Sequence, residues 1–424
     1  MSCELLVAAV KANDTERARQ CLEGQPQLRS KLNEPMPELP FGSLVLGPAV
    51  RWQNRAMIDL LLSAGADINA RSHWWAGGFG VLDSCDPEFA PFLIERGAIV
   101  DVHAAARLGL FDKLKELVSA NPDRVRARGG DGQTPLHFAL SVEIARYLLE
   151  HGADIDALDI DHESTPAQYM VRDRPEVARY LVSRGCRTDL LMAAALGEIE
   201  LVRRHLDADP ASIHLSVSEQ HFPKRDPRAG GTIYIWTLGR HKTPHLAARE
   251  FGHEEVFRLL MDRSPAELKL AQACELGDES IFKTLLASRP DLVQTPSAND
   301  RRKVADAAQN NNAAAVRLML EAGWPVDARG QHGGTPLHWA AFHGNAAMTE
   351  MILRHNPPLE WTDTDFNSRP LGWAIHGSEH GWHCRTGNYA ATVEALLKAG
   401  AKLPEKTGGT DAVREVLRRY GAKI

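Results

Sequence analysis

The densest run of chemically capable side chains lies between residues 373 and 384: Trp373, His376, Glu379, His380, Trp382, His383 and Cys384. His376 and His380 are four apart, so a helix would bring them to one face. With His383 and Cys384 they are all zinc-competent ligand types. Yet S-E-H-G-W-H is not H-E-x-x-H, and Gly377 and Gly381 predict an interrupted helix. No metal ligand is therefore assigned, and no cofactor is expected. A second reading is acid–base chemistry, in which Asp363, Asp365 or Glu379 works with a histidine such as His376, a residue type that titrates near neutrality. The substrate would then be small and polar, for instance a carbohydrate in a hydrolase-like reaction. A third reading is structural: an enlarged loop whose tryptophans cover the last elements of the chain.

Other catalytic signatures are missing. The chain has no P-loop, no dinucleotide-binding glycine fingerprint after a strand, and no G-x-S-x-G elbow. The glycines at 77–80 and 230–231 read as turn chemistry. At 424 residues, 44% hydrophobic and 25% charged, the composition is that of an ordinary globular protein. A net charge of −6 argues against a dedicated nucleic-acid or anionic-membrane binder. No apolar run approaches the roughly 20 residues that span a bilayer, and the N-terminus reads as a first helix, not a leader. The six cysteines are scattered singly, which suits reduced thiols in a cytoplasmic protein.

The elements that must position these residues repeat along the chain. Thr335 and Pro336 form an N-cap and first helical residue. A short helix of small residues follows (Leu337, His338, Trp339, Ala340, Ala341) and stops at Gly344. A second helix aligns Met348, Met351 and Ile352 and ends at Asn356. Similar units recur with a period of roughly 30–33 residues: Thr134-Pro135-Leu136-His137, Thr165-Pro166-Ala167-Gln168 and Thr243-Pro244. Several second helices instead end at proline (Pro26, Pro122, Pro210, Pro265, Pro290).

Thr-Pro-Leu-His-Trp-Ala-Ala followed by helix, turn and helix resembles the ankyrin repeat. The resemblance implies an all-α solenoid: a curved stack of about twelve helix–turn–helix repeats joined by β-hairpins. The array would cover residues 1–404, with an enlarged hairpin at 215–239 whose Thr232–Thr237 reads as a strand. A loop insertion at 377–387 and a capping helix at 405–424 complete it. The histidines of the repeat motif, His103, His137 and His338, are expected to tie hairpin to helix. His253 is expected to be a turn residue.

Ankyrin arrays bind through hairpin tips and the exposed end of each first helix. Carried onto this chain, those positions are Arg71, His73 and Trp74; Arg128 and Asp131; Asp159, Asp161, His162 and Arg172; Arg329, Gln331, His332, Phe342 and His343; and Asp363, Asp365, Phe366 and His376. Arg71, Arg128 and Arg329 each follow alanine at one tip position, where they clamp an anion or pair with neighbouring carboxylates. Trp74, Trp75, Trp339, Trp373 and Trp382 fall in or near the same face and suit sugar rings, cations or peptide side chains. The resemblance implies a monomeric binding module for a protein, a peptide or a small polar ligand. The acid–base enzyme remains the alternative.

Overall fold

The computed structural model describes residues 2–294, 301–404 and 407–422. Residues 295–300, within the expected array, and the first two and last two residues of the expected cap lie outside that set. Two compact units divide the chain, Met1–Phe257 and Arg258–Ile424.

In the second unit the helices form two rows. Lys303–Gln309, Pro336–Phe342 and Pro370–His380 pack in series, and so do Ala313–Glu321, Ala346–Leu353, Tyr389–Lys398 and Asp411–Arg419. The small residues explain the first row: Ala305, Ala308, Ala340, Ala341 and Ala374 are fully buried and let neighbouring backbones approach closely. One continuous core runs from Leu270 to Leu417. The first unit repeats the plan, with Val102–Arg107 against Pro135–Phe138 and Leu190–Leu196 against Pro244–Glu250.

The Thr-Pro segments form as capping chemistry demands. Thr335 N–H donates to His338 Nδ1 at 3.1 Å, and the Thr335 hydroxyl meets the same nitrogen at 2.9 Å. His338 Nε2 then donates to the Ser368 carbonyl, 3.2 Å away in the next repeat. His137 does the same with Thr134 and Ser164, and His103 bonds to Ala127 O. These rings hold loop to helix, as expected of the motif. Thr335→Ala should therefore cost about 0.5–2 kcal/mol, and hydrogen exchange should quicken only around residues 330–345. Equal loss of protection in residues 2–100 would contradict a repeat fold whose stability is local.

The prolines that close second helices begin short 3-10 turns at Pro26, Pro122, Pro210 and Pro290. Asn121 and Asp209 cap two of these turns through their side chains. Pro265 differs, preceding the helix Ala266–Leu276 as its cap. Asn356 takes the left-handed backbone usual for glycine, with φ 53°.

Three expectations need correction. First, no strand occurs among the described residues. The loop tips expected as β-hairpins are tight turns, closed by bonds such as Gly129 N–H to Gln133 O and Gly330 N–H to Gly334 O. Second, Thr232–Thr237 is not a strand: Tyr234–Thr237 is one helical turn. No neighbouring strand is there to pair with it, so its backbone bonds within itself, Leu238 N–H to Tyr234 O. Tyr234 is fully buried, with its hydroxyl on Asp189 at 2.9 Å. Third, Gly377 does not interrupt its helix, which runs unbroken from Pro370 to His380. A Cβ there would lie 2.4 Å from the Phe342 carbonyl oxygen, so the glycine permits two first-row helices to cross closely.

Candidate functional site

Two loop tips share one frame. Residues 159–166 (D-I-D-H-E-S-T-P) and 363–370 (D-T-D-F-N-S-R-P) align without gaps. In each, the leading aspartate accepts backbone N–H groups of its own loop. Asp159 takes His162 and Ser164, and Asp363 takes Asp365, Phe366 and Ser368. Each frame also docks on the tip before it, through Ile160 N–H to Asp131 O and Thr364 N–H to His332 O. The chemistry-bearing residues thus meet in two equivalent groups: Asp131, Asp161 and His162 in the first unit, and His332, Asp365 and Phe366 in the second.

The second group opens onto an aromatic patch. Trp339 and Trp373 are buried edge-to-face with centroids 5.0 Å apart. Trp382 lies nearly parallel to Trp339 at 5.9 Å, and Phe342 meets Trp382 at 5.4 Å. Phe366 is 66% exposed and Trp382 65% exposed. His332 Nδ1 reaches Asp365 Oδ2 at 2.6 Å, and that bond holds the Asp365 carboxyl below its ordinary pKa. The patch therefore offers flat apolar rings beside an ionised carboxylate.

Several residues assigned to the binding face are instead committed to the fold. His343 is buried, its Nε2 bonded to Gln309 O at 2.8 Å, and burial pushes its pKa down. Asp363 is also buried, and besides its loop N–H groups it accepts Trp373 Nε1–H at 2.8 Å. Burial opposes its charge, but those donors hold its pKa below the usual range. The tip arginines act as braces. Arg329 donates to Gly333 O and Thr362 O, Arg128 to Gly132 O and Leu158 O, and Arg71 to Gly78 O, Asp83 and Asp101. Arg172 pairs with Glu250 at 2.6 Å. His73 is exposed, whereas Trp74 packs on Phe41 at 4.9 Å.

The proposed acid–base set is not brought together. His376 lies beside His380 on the exposed face of its helix, with the two rings tilted, and Glu379 faces Arg414 at 3.8 Å. No described hydrogen bond or ion pair links His376 or Glu379 to His332, Asp363 or Asp365. The 376–384 ligand types do not converge either. Among the described residues, Asp131, Asp161 and His162 are the group whose donor atoms could hold a metal ion. Burial, then the Asp161 and Asp159 charges, raise Asp131 to about 6 against the opposing pull of His162. Sequence reasoning singled out Asp161 and His162 without joining them to Asp131. The available signal was the repeat period, which places Asp131 and His162 each three residues before the repeat threonine.

The six thiols are free, and burial pushes Cys186 and Cys274 up to about 12, so both are unreactive. No described helix is long and apolar enough to cross a membrane.

Comparison with known proteins agrees with the geometry. The chain is 29% identical over 122 residues to Ankyrin repeat and SAM domain-containing protein 6 of Mus musculus, covering 28% of this chain and 14% of that one. It is 25% identical over 263 residues to the mouse palmitoyltransferase ZDHHC13, covering 61% and 36%. It is 36% identical over 93 residues to the E3 ubiquitin-protein ligase XB3 of Oryza sativa subsp. japonica, covering 22% and 21%. The chain thus spans about a third or less of each of these relatives. A family model described as ankyrin repeats (3 copies) matches residues 102–192, 270–365 and 304–407, together more than half the length. With the Thr-Pro capping boxes and the two rows of packed helices, that match establishes that the chain belongs to the ankyrin repeat family.

Proposed function

We propose that this chain is an interaction protein that holds a peptide segment of a partner against the aromatic patch around Phe366 and Trp382. Ankyrin repeats are protein-interaction modules, and the relatives it matches share only part of their length with it. The observation that carries the reading is two highly exposed rings, Phe366 and Trp382, on an aromatic cluster that also includes His332 with its partner Asp365. Large exposed rings cost solubility and are characteristic of interface anchors. A carboxylate on the rim of such rings favours an arginine or lysine side chain as the inserted group. Repeat building requires none of these residues, since the capping and packing roles belong to Thr335, His338, Trp373 and Asp363.

The test uses peptides selected on the purified full chain from a random library, then titrated by calorimetry. Phe366→Ala with Trp382→Ala should weaken the best peptide by about 30-fold or more, the loss expected from removing an anchor worth about 2 kcal/mol. Trp236→Ala, at a 72% exposed ring in the first unit, should leave affinity unchanged. Equal affinity for the double variant and the wild type would remove the patch from consideration.

A further inference from the structure

We propose that Asp131, Asp161 and His162 bind one divalent transition-metal ion, which fastens the inserted segment around Gly230 and Gly231 to two loop tips.

The donor atoms of the three side chains all lie within 4.8 Å of one another. With bonds of about 2.0–2.2 Å the donors of one tetrahedral ion stand about 3.3–3.6 Å apart, so His162 and Asp161 already fit at 3.6 Å and the widest pair must close by about an ångström. Two of the three ligands are aimed by a bond on their other side. His162 Nδ1–H donates to Gly231 O at 2.9 Å, which turns Nε2 toward the two carboxylates. That nitrogen stands 3.6 Å from Asp161 Oδ2 and 4.0 Å from Asp131 Oδ2. Asp161 Oδ1 accepts Gly230 N–H at 3.2 Å, leaving Oδ2 for the centre. An imidazole oriented by a backbone carbonyl is the usual support of a metal-ligating histidine. Nε2 and the two carboxylate oxygens thus face one another across a common centre.

The Tyr169 hydroxyl and the Trp74 indole nitrogen, both buried, face Asp159 and Asp131 and support those carboxylates from the side.

The equivalent group in the second unit supplies the contrast. There Phe366 replaces His162, and the remaining His332 and Asp365 satisfy each other directly at 2.6 Å. Three potential ligands survive only where the inserted segment supplies the Gly231 carbonyl. One imidazole with two carboxylates suits Zn2+, Mn2+ or Fe2+, whereas Ca2+ prefers oxygen alone. The ion would strengthen a latch already visible, in which Glu163 accepts Arg225 N–H and Asp226 N–H and Ser164 Oγ accepts Ile233 N–H.

The 424-residue chain, stripped with chelator, dialysed against ZnCl2 or MnCl2 alone and gel-filtered, should retain one equivalent of metal by mass spectrometry. His162→Asn and Asp131→Asn should each lower affinity at least about tenfold, with the circular dichroism of the stripped proteins unchanged. X-ray absorption of the zinc-loaded wild type should show a nitrogen and oxygen shell with one imidazole and no sulfur, a readout that needs no variant. Failure of the wild type to retain metal, equal binding by either variant, or sulfur in the shell would overturn the proposal.

Discussion

Trp373→Ala is expected to destabilise the second unit by about 3–5 kcal/mol, the usual cost of emptying a buried aromatic site. The ring lies against Trp339, Phe342 and His338 with centroids 5.0–5.9 Å away. Its Nε1–H also satisfies Asp363 at 2.8 Å. Trp373→Phe separates the two effects. It keeps most of the packing and removes the indole donor, so about 1–3 kcal/mol should be lost. Asp363 retains the N–H groups of Asp365, Phe366 and Ser368, which limits the damage. Chemical denaturation of both variants measures the difference. Equal losses would mean that the bond to Asp363, and not the packed ring, holds the loop.

Acid should unfold the chain through its motif histidines. Burial lowers His137 to about 3 and His338 to about 4, against about 6.5 when unfolded. Below pH 6.5 the unfolded state takes up protons that these folded rings refuse. Their stabilising contribution is therefore complete above pH 6.5 and falls as pH drops toward 4. Each ring should cost about 1.4 kcal/mol per pH unit across that window. The repeat that opens at Thr165 indicates the control, because Gln168 stands at the histidine position and accepts Thr165 N–H at 2.9 Å through Oε1. His338→Gln should keep the cap and flatten the acid dependence of the second unit, as followed by melting temperature between pH 7 and 4.5. An unchanged slope would assign acid sensitivity to other groups.

These two predictions mark where sequence reasoning reached the structure and where it stopped. Thr335, Pro336 and His338 were readable because cap and capping box are made within four residues. The role of His343 was hidden because its partner, the Gln309 carbonyl, lies 34 residues earlier. Asp363 looked like a catalytic carboxylate until Trp373 and its own loop amides were seen to occupy it. The β-branched run at 232–237 promised a strand, but the burial of Tyr234 and its bond to Asp189 decide that region, and both are tertiary. Gly377 read as a helix break because a close helix crossing leaves the same residue in the sequence. The site followed the same rule: Asp131, Asp161 and His162 come together across one repeat period, while His376 and Glu379, close in sequence to other candidates, turn away from them.

The central claim is that the exposed rings at 366 and 382 receive a partner's side chain. Its most direct test is site-specific photo-crosslinking, with benzoylphenylalanine placed in turn at positions 366, 382 and 236 of the full chain and the selected peptide added at saturation. Crosslinks at 366 and 382, with none at 236, are the predicted result. Crosslinking at 236 alone, or at none of the three while calorimetry shows the peptide bound, would contradict it.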